Sequence, residues 1–322
     1  MSEYPTLAGK IRSLFAPSKL GVWPTPLEAA PGLADVLGVQ ELWLKREDRS
    51  SRQYGGNKLR GLEFLLADLP HGAVCVTVGG TGSTHCLATA VHAAARGGRA
   101  VLAQFPQPDT PAARAVADAA GRYAAARVLA SSRVTLPWAL LRAWRIAGRL
   151  GPRRWIPGGG AHPLAVLGHL LGTLELASQL DRPPDAIVVP LGTGGTAAGI
   201  ALGTAALEWP TRVVAVRVAP RIVANRWRVS WLAYGARRLL TARGLPLPAP
   251  RSPVMVDGLG AGYGHPTAAG ESARALAERH GLVLDSTYGG KTFAFLAQRA
   301  TRNSQRLVFW HTFAPPPPEP RA

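Results

Sequence analysis

The stretch SSRQYGGNKLRGLEFLLADL, residues 51–70, sets Lys58 between a glycine turn and the start of an apolar helical pattern. Only five of the 37 basic residues are lysines. Gly55 and Gly56 permit unusual backbone angles or close approach of a ligand. The helix that follows holds the root of the side chain. An amine held in this way can form a Schiff base with an aldehyde and, once displaced, act as a general base. A lysine at an arbitrary helix start is merely a solvated charge; a second motif sets this one apart.

That motif is PLGTGGTAAG, residues 190–199, between the apolar run AIVV and an Ala-rich stretch. Gly192, Gly194 and Gly195 let backbone N–H groups converge, and Thr193 and Thr196 add hydroxyl donors. A helix N-terminus brings its positive dipole to the same place, and phosphate is the natural guest. The loop is neither a Walker A sequence nor a dinucleotide fingerprint. Alone it could serve only tight packing. Coupled to a potential Schiff-base lysine, it points to pyridoxal phosphate.

Two further segments present polar groups on turns. In VGGTGSTHCLATA, residues 78–90, Ser83, Thr84 and His85 fall where a strand gives way to a helix. Ser83 or Thr84 can cap that helix, and the same hydroxyls and free amides can bind a carboxylate. In GLGAGYGHP and VLDSTYGGKTFAF, Tyr263 and Tyr288 sit beside glycines, a poor setting for core aromatics. Their hydroxyls could polarise a substrate or relay a proton, with a nearby positive charge lowering their pKa.

These groups need elements to position them. Short apolar runs at 39–48, 73–80, 99–105, 185–195, 212–219 and 306–313 read as strands. Helical spacing falls between them, at 59–69, 83–96, 136–150 and from 197 onward. This alternation predicts α/β organisation with largely buried parallel strands. The segment PGGGAHP breaks the middle section, and APPPPEPRA at 314–322 reads as a stiff proline-rich tail.

At 322 residues and 47% apolar, the chain can bury a core in two lobes. Its formal charge of +18 favours anionic partners. The arginines are scattered, however, and no zinc-finger, RNP or helix-turn-helix pattern stands out, so no specific nucleic-acid partner is expected. No apolar stretch is long enough to span a bilayer. The first residues lack a signal peptide's apolar core, which makes the cytoplasm the expected compartment. Cys75 and Cys86 offer neither a disulfide framework nor a metal site, and no metal is expected.

From PTPLEAAPGLADVLGVQELWLKREDRSSRQYGGNKLRGLE to the final strand, the chain resembles the D-cysteine desulfhydrase and 1-aminocyclopropane-1-carboxylate deaminase branch of fold-type-II pyridoxal-phosphate enzymes. GGNK followed by R and LE is the specific part of the match. The Gly-Thr-Gly-Gly-Thr loop says only fold type II. The resemblance implies two open twisted parallel-sheet lobes with the cofactor in the cleft between them. The large lobe would comprise residues 1–71 and 169–313 and the small inserted lobe 72–168, with a homodimer as the assembly. It implies a covalent cofactor link at Lys58 and phosphate held by Gly192, Thr193, Gly194, Gly195 and Thr196. Asn57, Thr84 and Thr312 would lie against the cofactor. Ser83, Thr84 and His85 would take a substrate carboxylate, with Ser83, Tyr263 and Tyr288 joining Lys58 in catalysis.

Four positions depart from the branch: Thr84 replaces an asparagine, Gly61 a lysine, Gly289 a glutamate and Phe313 a glycine. Loss of the glutamate argues against cyclopropane ring opening. The expected reaction is β-elimination from a D-cysteine-like small amino acid. Racemisation, β-replacement, cyclopropane deamination and non-catalytic cofactor binding are the alternatives.

Overall fold

The computed structural model describes residues 4–299 and 303–317. Its strands in chain order begin with β1 (Leu27–Ala29), β2 (Val39–Arg46), β3 (Val74–Gly80), β4 (Arg99–Phe105) and β5 (Ala126–Leu129). They continue with β6 (Arg153–Trp155), β7 (Ala186–Leu191), β8 (Arg212–Arg217), β9 (Val254–Asp257) and β10 (Asn303–His311). One sheet has the order β1-β2-β10-β7-β8-β9 and the other β5-β4-β3-β6. Every pairing is parallel except β1 with β2. The link between those two strands is too short for a crossover, so an antiparallel edge replaces the expected parallel strand. The strands missed in the sequence, β1, β5, β6 and β9, have three or four residues each, too few for a periodic signal.

Strand periodicity builds the core on both faces of each sheet. Ile187, Val189 and Leu191 face one hydrophobic cluster, while Ala186 and Val188 face another. Cys75 packs with Leu62, Cys86 and Leu102 on one side of the smaller sheet, and Val74, Val76 and Val101 pack on the opposite side. Both cysteines are buried free thiols. Residues 315–317 carry no regular structure, and the rest of the proline tail lies outside the described residues. No described helix is long and apolar enough to cross a membrane.

Three helices meet where the sequence supplies small residues. Helix Pro163–Gln179 runs unbroken and is buried along most of its length. A Cβ at its Gly168 would come 1.9 Å from the Arg60 carbonyl, and one at Gly199 would come 2.2 Å from His169 Cβ. Glycine thus lets helices Lys58–Leu65 and Gly195–Ala206 press against it from two sides. Gly61, one of the four departures named above, belongs to the same packing: its Cβ would lie 3.0 Å from Ala165 Cβ.

A buried charge cluster fixes the first of these helices. Arg60 is 1% exposed and Glu47 is completely buried. The guanidinium donates to Glu47 at 2.6 and 2.8 Å and to Glu175 at 2.9 and 3.2 Å. Lys45 pairs with Glu175 and donates to the Thr25 carbonyl at 2.9 Å. The Trp23 ring lies 4.0 Å beneath the guanidinium carbon. Because Glu47 directly follows β2 and Arg60 lies two residues beyond Lys58, the cluster ties the lysine's helix to the sheet edge.

Breaking a buried pair by deleting one partner leaves an uncompensated charge, at a cost of about 3–5 kcal/mol. Arg60→Leu should therefore lose stability of that order in urea unfolding. A loss below about 1 kcal/mol would rank the cluster with ordinary surface pairs.

Candidate active site

Lys58 is the first residue of its helix and Asn57 is the N-cap. The turn before it is held by close backbone contacts. Gly56 has φ 100° and its N–H donates to the Glu47 carbonyl at 2.9 Å, while the Asn57 N–H donates to the Thr312 carbonyl at 3.2 Å. Asn57 Nδ2 donates to Thr196 Oγ1 at 2.7 Å. The residue before the lysine therefore bonds directly to the glycine loop.

The loop itself turns through Gly194, in the left-handed region at φ 95°, into helix Gly195–Ala206. Arg228 Nε donates to the Thr193 carbonyl at 3.2 Å, bracing the loop from behind. Thr193 Oγ1 and Lys58 Nζ both donate to the Gly159 carbonyl, each at 3.4 Å. Asn57, Lys58, Thr84, Thr312, Phe313 and Tyr288 line one cavity together with residues 192–197. Counting the open space at its mouth, the empty volume among these residues is about 440 Å³.

The amine at its floor is poorly solvated. Desolvation pushes the Lys58 pKa down to about 8, so its neutral form is well populated near neutral pH. A neutral amine is the nucleophilic form.

A second cavity of about 340 Å³ shares Thr84, Tyr288 and Phe313 with the first, and adds Gln107, Thr110, Tyr263 and Asp285. Tyr263 and Tyr288 share a hydrogen bond of 2.9 Å between their hydroxyls. Their rings meet edge to face at 6.1 Å. Tyr288 lies on the glycine loop: a Cβ at Gly192 would sit 3.3 Å from its Cε1.

The geometry changes three expectations. Desolvation raises both tyrosine pKa values, whereas the sequence reading looked to a positive charge to lower them; Arg133 exerts only a minor pull on Tyr263. Ser83 caps helix Thr84–Ala95, its Oγ accepting from the Cys86 N–H at 3.3 Å, and its neighbours Gly82 and Thr84 form the cavity wall instead. His85 turns inward, with Nε2 3.0 Å from Thr77 Oγ1. Burial, followed by the nearby Lys58 charge, pulls its pKa to about 3, so it offers a carboxylate no positive charge at neutral pH.

Residues missed in the sequence complete the site. Gly159 lies in PGGGAHP, read only as a break, although three consecutive glycines signal close backbone approach. Asp285 sits three residues before Tyr288, a helix-start signature that was passed over. Arg228 gave no signal, being one of many arginines.

A phosphorylated aldehyde fits the groups present. The first amides of helix Gly195–Ala206 have no acceptor within the helix, and the Thr193 and Thr196 hydroxyls stand beside them. Lys58 is the amine within the same cavity.

Comparison with known proteins agrees. The family described as "Pyridoxal-phosphate dependent enzyme" matches residues 18–312. A D-cysteine desulfhydrase of Salmonella newport is 33% identical, covering 91% of this chain and 92% of its own. A Pyrococcus horikoshii chain, provisionally named a 1-aminocyclopropane-1-carboxylate deaminase, is 31% identical over 90% of this chain and 89% of its own. A crystal structure of an ACC deaminase homologue superposes with TM-score 0.82 at 27% identity, covering 94% of each chain.

The lowered lysine pKa carries a pH prediction. The unprotonated fraction grows as pH rises through the folded-state value. Uptake of pyridoxal phosphate by apoprotein, followed by absorbance, should accelerate with a midpoint near pH 8. A midpoint near the ordinary lysine value of 10.5 would contradict the desolvated amine.

Proposed function

Because the chain belongs to the pyridoxal-phosphate-dependent enzyme family, we propose that its reaction is β-elimination from a D-cysteine-like amino acid, giving pyruvate, ammonia and the released thiol. It is an enzyme of the lyase or deaminase type, acting on small amino acids. The observation that carries the finer reading is the pairing of Lys58 with Tyr288 in one cavity, Tyr288 being bonded in turn to Tyr263.

Lys58 would hold the cofactor's aldehyde end, residues 192–196 would hold its phosphate, and Asn57, Thr84 and Thr312 would line its surroundings. When bound, pyridoxal phosphate supplies an electron sink for negative charge at the substrate Cα. The substrate carboxylate binds at Thr84 and the free amides opening helix Thr84–Ala95, with Ser83 fixing that helix start as its cap. Lys58 Nζ, in its uncharged form, would take the Cα proton. Tyr288 gives a proton to the departing sulfur and draws on Tyr263 for replacement. Its raised pKa keeps it protonated and able to donate.

Phe313 lines both cavities, where its ring takes up space that a glycine would leave to a substrate side chain. That favours a short side chain. Gly289, hydrogen-bonded through its N–H to Asp285, brings no carboxylate to this place, which disfavours cyclopropane opening. The resemblance implies that two copies of the chain form the working unit and that residues 72–168 form the smaller lobe, a division whose end falls within helix Pro163–Gln179.

The direct test is a panel of D and L forms of cysteine, serine and their β-substituted analogues, read by Cα deuterium exchange and pyruvate release. Exchange with pyruvate from D-cysteine supports elimination. Exchange without pyruvate would redirect the reading to racemisation, and no exchange with any member would point to a non-catalytic protein. Tyr288→Phe should leave cofactor absorbance unchanged and lower kcat about 10²-fold; normal turnover would remove Tyr288 from the mechanism. Phe313→Gly should shift kcat/KM about tenfold toward bulkier side chains, and an unaltered ratio would show that the ring does not limit substrate size.

A further inference from the structure

The two tyrosines stand on separate irregular segments, residues 258–264 and 285–288, yet their hydroxyls meet at 2.9 Å. Neither phenol is fixed by a strand or helix of its own. What holds each one is a buried charged side chain, and the two lie symmetrically about Tyr288, three residues before it and three after.

Asp285, 6% exposed, holds the first segment. Its carboxylate accepts from the backbone N–H groups of Thr287 at 3.0 Å, Tyr288 at 2.7 Å and Gly289 at 2.7 Å. Its own carbonyl accepts from the Gly290 N–H at 2.8 Å. The Tyr288 backbone is thereby fixed at the mouth of helix Gly289–Arg299. Lys291, 3% exposed, lies in the first turn of that helix. It donates to the Leu259 carbonyl at 2.7 Å and the Gly262 carbonyl at 3.1 Å, on either side of the turn that presents Tyr263. Among the described residues Lys291 makes no salt bridge. A buried ammonium spent on two loop carbonyls is a costly way to hold a chain, unless the position of that loop matters.

We propose that Asp285 and Lys291 are positioning residues that hold Tyr263 and Tyr288 as one hydrogen-bonded pair, both anchored to the start of helix Gly289–Arg299. The inference rests on the proton-relay role given to the tyrosines above. Neither residue handles the substrate proton. Lys291 acts through the Tyr263 loop and Asp285 through the Tyr288 backbone. Other charged or titratable groups face this cluster: Cys86 from helix Thr84–Ala95, Arg133 after β5, Arg274 from helix Ala268–Arg279, and Tyr54. None of these donates to the 258–264 carbonyls that Lys291 holds.

The experiment has one arm that needs no substrate and one that does. In the full-length apoprotein, hydrogen–deuterium exchange of residues 258–264 should accelerate at least about tenfold in Lys291→Met. Residues 287–289 should do the same in Asp285→Asn, with the core strands unchanged in both. Lys291→Gln, which keeps one donor without the charge, should restore part of the protection. In the cofactor-loaded enzyme, Lys291→Met should lower kcat about 10²-fold with KM nearly unchanged. Tyr263→Phe combined with Lys291→Met should be no slower than Tyr263→Phe alone, since both remove one unit. Unchanged exchange in both single variants overturns the proposal, as does an additive loss in the double variant. If wild-type protein turns over nothing, the functional reading fails by itself, and the exchange arm still decides whether the pair is held in this way.

Discussion

A half-buried amine with few partners is the constraint on which the rest of this molecule depends. Among the described residues, Lys58 Nζ makes one long hydrogen bond, 3.4 Å to the Gly159 carbonyl, and faces a loop of amides and hydroxyls with no carboxylate in its lining. Desolvation brings its pKa down to about 8, so that the neutral, nucleophilic form becomes accessible near neutral pH. To stay there, the side chain needs a root that cannot swing out to solvent. The Arg60 cluster provides it two residues along the helix, and the Asn57–Thr196 bond provides it at the helix start. Glycines at 168 and 199 let the three helices close enough for both.

The same economy separates two uses of charge. The chain as a whole carries a formal +18, and several exposed arginines pair with single carboxylates. Inside, a few ionised groups are placed where each has several hydrogen-bond partners. Arg60, Glu47, Lys45 and Glu175 satisfy one another, Asp285 is met by three amides, and Lys291 by two carbonyls. Buried charges so arranged fix geometry more than they add stability. Each of these sets lies at the end of an element that carries a residue of the site.

Much of this was legible in the chain because it depends on local chemistry. The strands from 39, 74, 99, 186, 212 and 303 follow from apolar runs bounded by turns, and the α/β class from their alternation with helices. Lys58 and the 192–196 loop announced themselves by glycines next to donors. What the sequence hid is what depends on distant partners. Whether Ser83 caps a helix or points into a cavity is the same string of letters, and so is the inward turn of His85 toward Thr77. Gly159 supplies only a carbonyl, which every residue possesses. The direction of the tyrosine pKa shifts depends on burial created by segments far apart in sequence. Strands of three or four residues, such as β6, form only because a neighbour is already there to pair with.

Reduction of the cofactor-loaded protein with borohydride, followed by digestion and peptide mapping, tests the central claim most directly. The account predicts one pyridoxyl group per chain, attached at Lys58 in the peptide that contains GGNK. A label on Lys10, Lys19, Lys45 or Lys291, or none after saturation with the cofactor, would contradict it.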